Sequence, residues 1–455
     1  MAKLILPIHS NRRGQGIQAR LTNCYAEANP QGAKAPIGLL GCPGVTTLGT
    51  LPKVPYRGAE TFDGTLYAVA GDTLYSITSA GATASIGTIN GAGKVSMAEN
   101  RDALSIYTDS TDYTYDGTTL AEIDDIDKEP ATLVDVIEGF AVHIRTGTDQ
   151  FASSGLANSA VFNGLDFDTA ASEPDLLVSL IVDRQQLILF GVETSEKWWV
   201  FGGSGFPLMR IPGGVIPFGC IAARSPTKFG ARVGWVDENV IPRVLSGSQG
   251  LKISSHAIDS AFDKITDPAN IFGFSYSTKG HTNYCLTTDQ GTFVYDLSTS
   301  EWHERKSLGL NRWRVEDVTR AYDKQIAFDS TTGKFGVIDE TLQTEFGDPI
   351  RMEWVYPTVY AEGRLASHKR LEIMPDVGEA DATEAPIMGM SISDDGGKTW
   401  VELETKSLGL TGEYEQSLIW TKLGSSHNRV YRGWISDPIE RGVFDTQLEV
   451  EGGRL

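Results

Sequence analysis

Hydrophobic and polar residues alternate with a period of two along most of the chain, and stretches with a helical period are rare. In the clearest example, residues 65–70 and 73–78 form two alternating patterns joined by Gly71-Asp72, a pair typical of a two-residue hairpin turn. The pattern predicts an all-β protein built largely from hairpins.

The hairpin pattern returns at regular intervals. Its copies begin near positions 103, 140, 186, 232, 281 and 325, so the average spacing, counted from 65, is about 43 residues. A spacing of roughly 40 to 50 residues is typical of four-stranded β-propeller blades, whose radial closure protects strand edges. The sequence therefore predicts a propeller of six or seven blades over residues 51–345. The alternative is a set of unrelated hairpins in a sandwich or meander, because the copies share a pattern more than residues.

One segment, residues 254–265, has a helical period instead. Ser255 can cap its first turn, and Pro268 lies just beyond its end. We expect this helix to pack across the outside or one end of the propeller. The residues of its apolar face are Ala257, Ile258, Ala261, Phe262 and Ile265.

The pattern changes after residue 345. Six strand patterns within about 105 residues predict a separate β-sandwich over residues 346–455. Residues 378–386, between two of these strands, are small and acidic, which predicts a loop. Residues 1–50 are rich in Gly and Pro and show little alternation, so we interpret them as an extended N-terminal arm.

Composition narrows the class of protein. A chain of 455 residues exceeds the usual size of one domain, and it contains no apolar run long enough to span a membrane. The formal net charge of −20 makes tight wrapping of DNA or RNA unfavourable, because acidic surfaces repel phosphate. The first apolar stretch is interrupted by Pro7 and is too short for a signal peptide, and the four cysteines show no Cys-x-x-Cys spacing. We expect reduced thiols and folding in a cytoplasm.

Local motifs of catalysis are incomplete. The seven histidines are scattered, residues 202–205 are one residue short of a nucleophile elbow, and residues 88–95 lack two of the four defining positions of a phosphate loop. The acidic run at 122–129 lacks the glycine and terminal glutamate of a calcium loop and is interpreted as a solvated connector. We predict no enzyme, with no catalytic residue, cofactor or metal site. Carboxylate pairs for glycoside hydrolysis leave no local trace, so a glycan-active protein stays an alternative.

One specific local motif is present near the C-terminus. It fits the Ser-x-Asp-x-Gly-x-Thr-Trp pattern of an Asp-box, a turn in which the carboxylate binds backbone amides while the Trp packs beneath. Sialidases carry such boxes once per blade, together with three arginines that grip a carboxylate, whereas this box lies outside the predicted propeller. We interpret it as structural. Its residues are Ser393, Asp395, Gly397, Thr399 and Trp400.

A series of short segments has a recognisable order along the chain. It begins with Asn-Cys-Tyr-Ala-Glu, Gly-Cys-Pro-Gly-Val, Tyr-Arg-Gly and Gly-Lys-Val-Ser-Met-Ala, at residues 23–27, 41–45, 56–58 and 93–98. It continues with the segments at 196–200, 251–259 and 294–304. Over about residues 20–310 this series resembles the tail-hub proteins of short-tailed bacteriophages, also called tail nozzle or packaged-DNA stabilisation proteins.

The resemblance implies a structural virion protein that assembles as a ring, usually a hexamer, beneath the portal and adaptor rings of the tail. Such a ring continues the DNA channel, helps to retain the packaged genome, and carries fibres, spikes or a needle-like plug. It implies assembly in the host cytoplasm and no catalytic residues. The alternatives are a glycan-active or glycan-binding propeller, sialidase-like or lectin, and a tail fibre, although no long repetitive stem is visible.

The charge has two interpretations in such a ring. Six copies would carry a formal charge of about −120. Acidic side chains could line the lumen so that DNA slides without binding to the wall. Alternatively, they only keep an abundant assembly subunit soluble.

Overall fold

The computed structural model describes residues 2–3, 19–29, 36–170, 175–202, 205–360, 363–378, 385–414 and 417–452. Nearly all regular structure in these ranges is β-strand, arranged as a propeller followed by a sandwich, so the predicted fold class is confirmed. Most of the predicted acidic loop at 378–386, and residues 1, 4–18 and 30–35 of the predicted arm, lie outside the described residues.

The propeller has seven four-stranded blades within the described ranges, and the first strands of most successive blades contact one another around a central axis. From the axis outwards, the strands are Tyr56–Phe62, Thr65–Ala70, Thr73–Ile77 and Thr83–Thr88 in blade 1; Ser96–Glu99, Leu104–Tyr107, Tyr113–Tyr115 and Leu120–Glu122 in blade 2; Val134–Ile137, Phe140–Ile144, Gln150–Gly155 and Asn158–Thr169 in blade 3; Leu177–Asp183, Gln186–Gly191, Ser195–Val200 and Leu208–Ile216 in blade 4; Thr227–Phe229, Arg232–Val236, Pro242–Ser246 and Gln249–Lys252 in blade 5; Phe272–Thr278, His281–Thr288, Gly291–Asp296 and Glu301–Arg305 in blade 6; and Val315–Ala321, Lys324–Asp329, Lys334–Asp339 and Gly49–Thr50 in blade 7.

Each hairpin that the sequence predicts is formed by the second and third strands of a blade. In blade 1, Thr65–Ala70 and Thr73–Ile77 are buried almost throughout, whereas the outer strand Thr83–Thr88 is exposed or half-buried. Middle strands pack against neighbouring blades on both faces, so they carry the strongest apolar pattern. The predicted units are therefore the centres of the blades.

The ring of blades is closed by chain that precedes blade 1. Gly49–Thr50 pairs antiparallel with Lys334–Asp339 and supplies the fourth strand of blade 7. Thr46 lies so close to this strand that a Cβ at Gly336 would stand 1.6 Å from the Thr46 carbonyl oxygen. Only glycine allows this approach. The closure therefore joins the two ends of the propeller by backbone hydrogen bonds.

The helix spans His256–Phe262, and the Ser255 hydroxyl accepts a hydrogen bond from the Ile258 amide at 3.4 Å, as predicted for its cap. It is followed by a short 3-10 turn, Pro268–Asn270. Its apolar face packs between blades 5 and 6, where Phe262 contacts Phe293 and Trp302. The helix thus fills the space at the outer ends of two blades.

The sandwich has two sheets. The first contains Cys24–Ala28, Ile37–Gly41, Gly442–Gly452, Ala366–Pro375 and Leu418–Thr421, with Ala2–Lys3 and Ser425–Ser426 added at its sides. The second contains Arg20–Thr22, Met352–Val355, Asn428–Ile435, Ile387–Ser393 and Val401–Glu402, with Val359–Tyr360 and Lys406–Ser407 added. Trp354, Trp420 and Tyr431 are buried between the sheets. Thr344–Glu345 and Asp348–Pro349 pair beside Gly44–Val45.

The N-terminal part of the chain differs from the predicted arm. Its described residues form strands in both units: four join the sandwich, and Gly44–Val45 and Gly49–Thr50 pair with blade 7. Leu21, Cys24 and Leu39 lie in the sandwich core. Strands of two to five residues are too short to show a period in the sequence, which explains the difference. The division of the chain at residues 50 and 345 stays a prediction.

A continuous sheet joins the two units. Arg20–Thr22 pairs parallel with the outer strand of blade 6 on one side and antiparallel with Met352–Val355 of the sandwich on the other. Asn23, at a φ of 55°, donates through Nδ2 to the carbonyl oxygens of Lys306 at 2.8 Å and Arg351 at 2.9 Å. The Lys306 amide donates back to Asn23 Oδ1 at 2.9 Å. One asparagine therefore binds both units at once.

Candidate functional site

The Asp-box residues form one hydrogen-bonded turn. Asp395 accepts hydrogen bonds from the Thr399 hydroxyl at 2.6 Å, the Thr399 amide at 3.0 Å, the Ser393 hydroxyl at 2.7 Å and the Lys398 amide at 2.9 Å. The Gly397 amide donates to Ser393 Oγ at 2.8 Å. The bonds from Thr399 and Ser393 lower the pKa of Asp395 well below its usual range. The carboxylate thus holds the backbone of the turn in place.

Trp400 does not lie in the sandwich core. It is half-buried, and the Arg432 guanidinium stands 4.3 Å from the centre of its ring. Arg432 also forms an ion pair with Glu402 at 3.0 Å. The tryptophan therefore covers the edge of the turn, where it contributes a cation–π contact instead of a fully buried ring.

An axial cavity lies where the first strands of the blades meet. Its wider part, about 560 Å³, opens at the end formed by the connections between blades. A narrower part of about 210 Å³ lies beside it and shares Lys94, Arg224 and Glu316 with it.

The charges in the axial cavity are paired within the chain. Glu316 accepts hydrogen bonds from Lys94 at 2.9 Å and from Arg312 at 2.7 Å. Arg224, just ahead of blade 5, donates across the axis to the carbonyl oxygens of Lys94 at 2.6 Å and Val95 at 3.1 Å. Burial lowers the pKa of Arg224 to about 10, so it stays charged at neutral pH. Arg224 thus joins two opposite blades, and in the described residues these cations bind groups of the chain itself and do not form three arginines around an open carboxylate site.

Two half-buried carboxylates, Glu60 and Asp317, lie on the first strands of blades 1 and 7. Burial raises the pKa of Glu60 to about 7, and the Thr61 amide donates to its carboxylate at 2.9 Å. Asp317 accepts a hydrogen bond from the Tyr56 hydroxyl at 2.5 Å, and burial raises the pKa of Asp317. A carboxyl group that titrates near neutrality can donate a proton, and buried pairs that only support structure show the same shift.

Histidines and cysteines are buried structural groups for the most part. Burial lowers the pKa of His303 to about 3 and raises the pKa of the Cys220 thiol to about 12. Cys24, Cys42 and Cys285 are also buried free thiols. Among the described residues, no group of three or more His, Cys, Asp or Glu side chains could hold a metal ion. In the same residues no helix has the length and apolarity needed to cross a membrane.

His281 lies at the junction of the two units. Its Nδ1 is 2.6 Å from Asp296 Oδ2 in blade 6, and its Nε2 is 2.6 Å from Glu27 Oε2 in the strand Cys24–Ala28. Burial disfavours the charged ring, but the hydrogen bonds and charges of Asp296 and Glu27 outweigh it and raise the pKa of His281. The imidazole ring therefore links a propeller carboxylate to a sandwich carboxylate.

Two protein-family models match the chain and identify its family. Residues 6–343 match the model of the bacteriophage P22 Gp10 β-propeller, and residues 351–451 match the model of the P22 Gp10 β-sandwich. The chain belongs to the P22 Gp10 family. The predicted resemblance to the tail-hub proteins of short-tailed phages is confirmed, and this Gp10-family member is a structural protein of a phage virion tail.

Several solved structures are similar to parts of this Gp10-family chain. The β-propeller domain of Myceliophteria thermophila Cps50 (Swd1) is 8% identical, with a TM-score of 0.43 over 64% of this chain and 98% of that one. PorZ of Porphyromonas gingivalis is 11% identical, with a TM-score of 0.40 over 72% and 44%. The N-terminal domain of Nup159 is 10% identical, with a TM-score of 0.39 over 74% and 99%. No curated protein matches the chain.

The sequence identified the Asp-box of this Gp10-family chain but not its axial or junction residues. Lys94 was noted only as part of an incomplete phosphate loop, and Arg224 and Glu316 carry no local motif. They meet only when blades 2, 5 and 7 surround the axis. Lys94 and Arg224 precede the first strands of blades 2 and 5, so no strand pattern in the sequence indicates them.

Proposed function

We propose that this protein is the ring-forming subunit of a phage tail hub, placed below the portal and adaptor rings. In this position the ring continues the DNA channel, helps to retain packaged DNA and carries tail fibres or spikes. The observation that carries the proposal is the match of nearly the whole chain to both Gp10 domains, in the family's order. Assembly with other virion proteins follows from the same match.

The physical features fit a subunit that bears load. A continuous sheet, the Asn23 hydrogen bonds and the His281 ion pairs hold the sandwich against blade 6. Such a junction resists rotation of the two units, which a channel wall requires.

The channel for DNA would lie between copies and not along the propeller axis. The axial cavity measures about 560 Å³ at its mouth and is crossed by Arg224 and by the Lys94–Glu316 ion pair. A DNA duplex cannot enter a space of this size. The net charge of −20 per copy supports a lumen that repels phosphate, and solubility alone would explain it equally well. A ring structure with Lys and Arg dominating the lumen would contradict the repelling wall.

The test is assembly of the full-length protein. We expect negative-stain images of the purified chain to show closed rings, and we expect those rings to co-purify with the portal and adaptor proteins of the same phage. A protein that stays monomeric both alone and with those partners would contradict the proposal. Counting subunits by mass photometry would test the expected hexamer.

The glycan-active alternative rests on Glu60, whose pKa of about 7 and place near the axis suit a general acid. This alternative predicts that the purified monomer hydrolyses or retains polysaccharide, and that Glu60→Gln removes hydrolysis without loss of folding. Rings that lack any glycan activity would leave Glu60 as a half-buried structural carboxyl.

A further inference from the structure

An acidic loop connects blade 2 to blade 3 at the surface of the propeller. At its tip Ile126 is 99% exposed, and Asp124 and Asp127 are exposed beside it. Asp125 fixes the tip, because its Oδ2 accepts a hydrogen bond from the Phe162 amide at 2.9 Å and its Oδ1 accepts one from the Asp127 amide at 2.9 Å. We call residues 124–127 the acidic knob. The turn therefore holds an apolar side chain in solvent, where a partner can contact it.

The surface beside the acidic knob is also apolar. Val161 and Leu165 are exposed on Asn158–Thr169, the long outer strand of blade 3, and the knob packs on this strand at Gly164. An outer strand of twelve residues leaves unpaired backbone groups at the rim of the propeller. The knob and this strand together form an edge that a partner can cover.

A cleft of opposite character lies between blades 4 and 5, with a volume of about 1040 Å³. Trp199 and Met209, paired across two outer strands of blade 4, are 41% and 40% exposed in it. Its rim carries the exposed cations Arg184 and Arg232. We call it the basic cleft.

The basic cleft contains a buried ammonium group. Lys197 is only 8% exposed, and its Nζ donates to the Gly247 carbonyl oxygen. Within the described residues, Lys197, Arg184 and Arg232 form no ion pair, and the two carboxylates that line the cleft are Glu138 and Asp183. A buried ammonium that contacts one carbonyl gains most from an incoming carboxylate, because little water remains to solvate it.

The acidic knob and the basic cleft lie at opposite ends of the propeller. The knob is in the connection from the last strand of blade 2 to the first strand of blade 3. The cleft is bordered by the turns that join first and second strands, at 183–186 and 229–232. Because successive strands of a blade are antiparallel, these two kinds of connection are at opposite ends. The two surfaces therefore cannot meet within one copy.

We propose that the acidic knob of one copy inserts into the basic cleft of the next copy, as the head-to-tail contact of the ring. Ile126 packs on Trp199 and Met209, and Asp124 and Asp127 approach the cations of the cleft. Two different complementary surfaces on one chain produce a heterologous contact, which closes into a ring when the rotation between copies allows it. This inference rests on the proposed ring and names its contact.

The test uses the full-length chain with one surface altered at a time. Ile126→Asp removes the apolar tip, and Trp199→Asp places a carboxylate in the cleft. Ile126 is almost fully exposed, so thermal melting of the Ile126→Asp monomer should be unchanged. Trp199 packs on Phe201, so the melting of Trp199→Asp is measured to separate a loss of folding from a loss of assembly. The matched control is Val401→Asp, an exposed apolar residue on the sandwich edge that is 62% exposed. Assembly is followed by mass photometry across a concentration series.

We expect Ile126→Asp and Trp199→Asp each to raise the concentration needed for half-assembly by at least about tenfold, as loss of a central contact does. Val401→Asp should form wild-type rings. An equimolar mixture of the two variants should stop at heterodimers, because each keeps one intact surface and their altered surfaces repel each other.

Each remaining outcome has a definite meaning. If wild-type protein forms rings and both variants do so at the same concentration, the knob and cleft contact is wrong while the ring stands. A wild-type chain that never assembles, alone or with portal and adaptor, overturns both. If Trp199→Asp forms normal rings but loses retention of a polysaccharide that wild-type protein binds, the cleft is a glycan site and the proposed contact is also overturned.

Discussion

The propeller and the sandwich are both all-β, but they are assembled from the chain in different ways. Six of the seven blades take four consecutive strands, so their pairing is local. The sandwich pairs strands such as Ile37–Gly41 and Gly442–Gly452, which lie about four hundred residues apart along the chain. The propeller therefore depends on one closing contact, whereas the sandwich depends on N-terminal strands throughout its core.

The largest effect should come from separating the sandwich from its N-terminal strands. We expect residues 346–455 expressed alone to stay unfolded, because Leu21, Cys24 and Leu39 are missing from the core. Circular dichroism and thermal melting would measure this. Supplying a peptide of residues 19–41 in trans should restore a cooperative transition. A native-like melt of the isolated fragment would show that the sandwich folds without its N-terminal strands. The proposed difference between the sandwich and the propeller would then be wrong.

The stability of the propeller should be most sensitive to changes at the strand that closes the ring of blades. Gly336→Ala places a Cβ 1.6 Å from the Thr46 carbonyl oxygen, so the closing strand must shift. We expect a loss of about 2–3 kcal/mol in the free energy of unfolding, the usual range for an overpacked site. Denaturant melting would measure it. Gly155→Ala in blade 3, where a Cβ would meet its nearest atom at 3.6 Å, is the matched control and should change little. Equal stability of the two variants would contradict the close approach.

The junction should respond to pH. The pKa of His281 is raised in the folded protein by Asp296 and Glu27, so its contribution is fully present below the unfolded pKa of about 6.5 and is lost as the pH rises through the folded pKa. We expect His281→Gln to destabilise the protein by about 1–2 kcal/mol more at pH 6 than at pH 9. Paired denaturation curves at the two pH values would measure this. A pH-independent difference would assign His281 to packing alone.

The smallest effect should come from the Asp-box. Trp400→Ala removes a half-buried ring and its cation–π contact with Arg432, so we expect a loss of about 1 kcal/mol, less than a buried aromatic would give. Ring images should be unchanged. Trp420→Ala, which empties the sandwich core, is the comparison and should cost about 3 kcal/mol or more. Lost rings together with an unchanged melt would show that Trp400 acts in assembly.

The sequence predicted the elements that a local hydrophobic pattern encodes. Leu66, Ala68 and Val69 lie in a strand buried on both faces, so the centre of blade 1 was visible as a hairpin. The helix face and its Ser255 cap were predicted for the same reason. The sequence predicted six or seven blades and not one definite number. The fourth strand of blade 7 comes from Gly49–Thr50, which is far along the chain from the rest of that blade.

The candidate site was less accessible to sequence reasoning. Asn23 binds carbonyl groups 283 and 328 positions away in the chain, and no pattern around it indicates such partners. The knob at Ile126 was interpreted as a solvated connector, since exposure of one isoleucine among acidic residues cannot be inferred from composition. Both properties arise only when distant segments meet.

The sheet that runs from blade 6 into the sandwich also has a mechanical consequence. Because Arg20–Thr22 is hydrogen-bonded on both sides, a pull on the sandwich along the strand direction loads several backbone bonds in shear at once, instead of opening them one by one. A flexible linker would stretch before it passed on any force. Here a force applied to either unit would pass to the other through these hydrogen bonds.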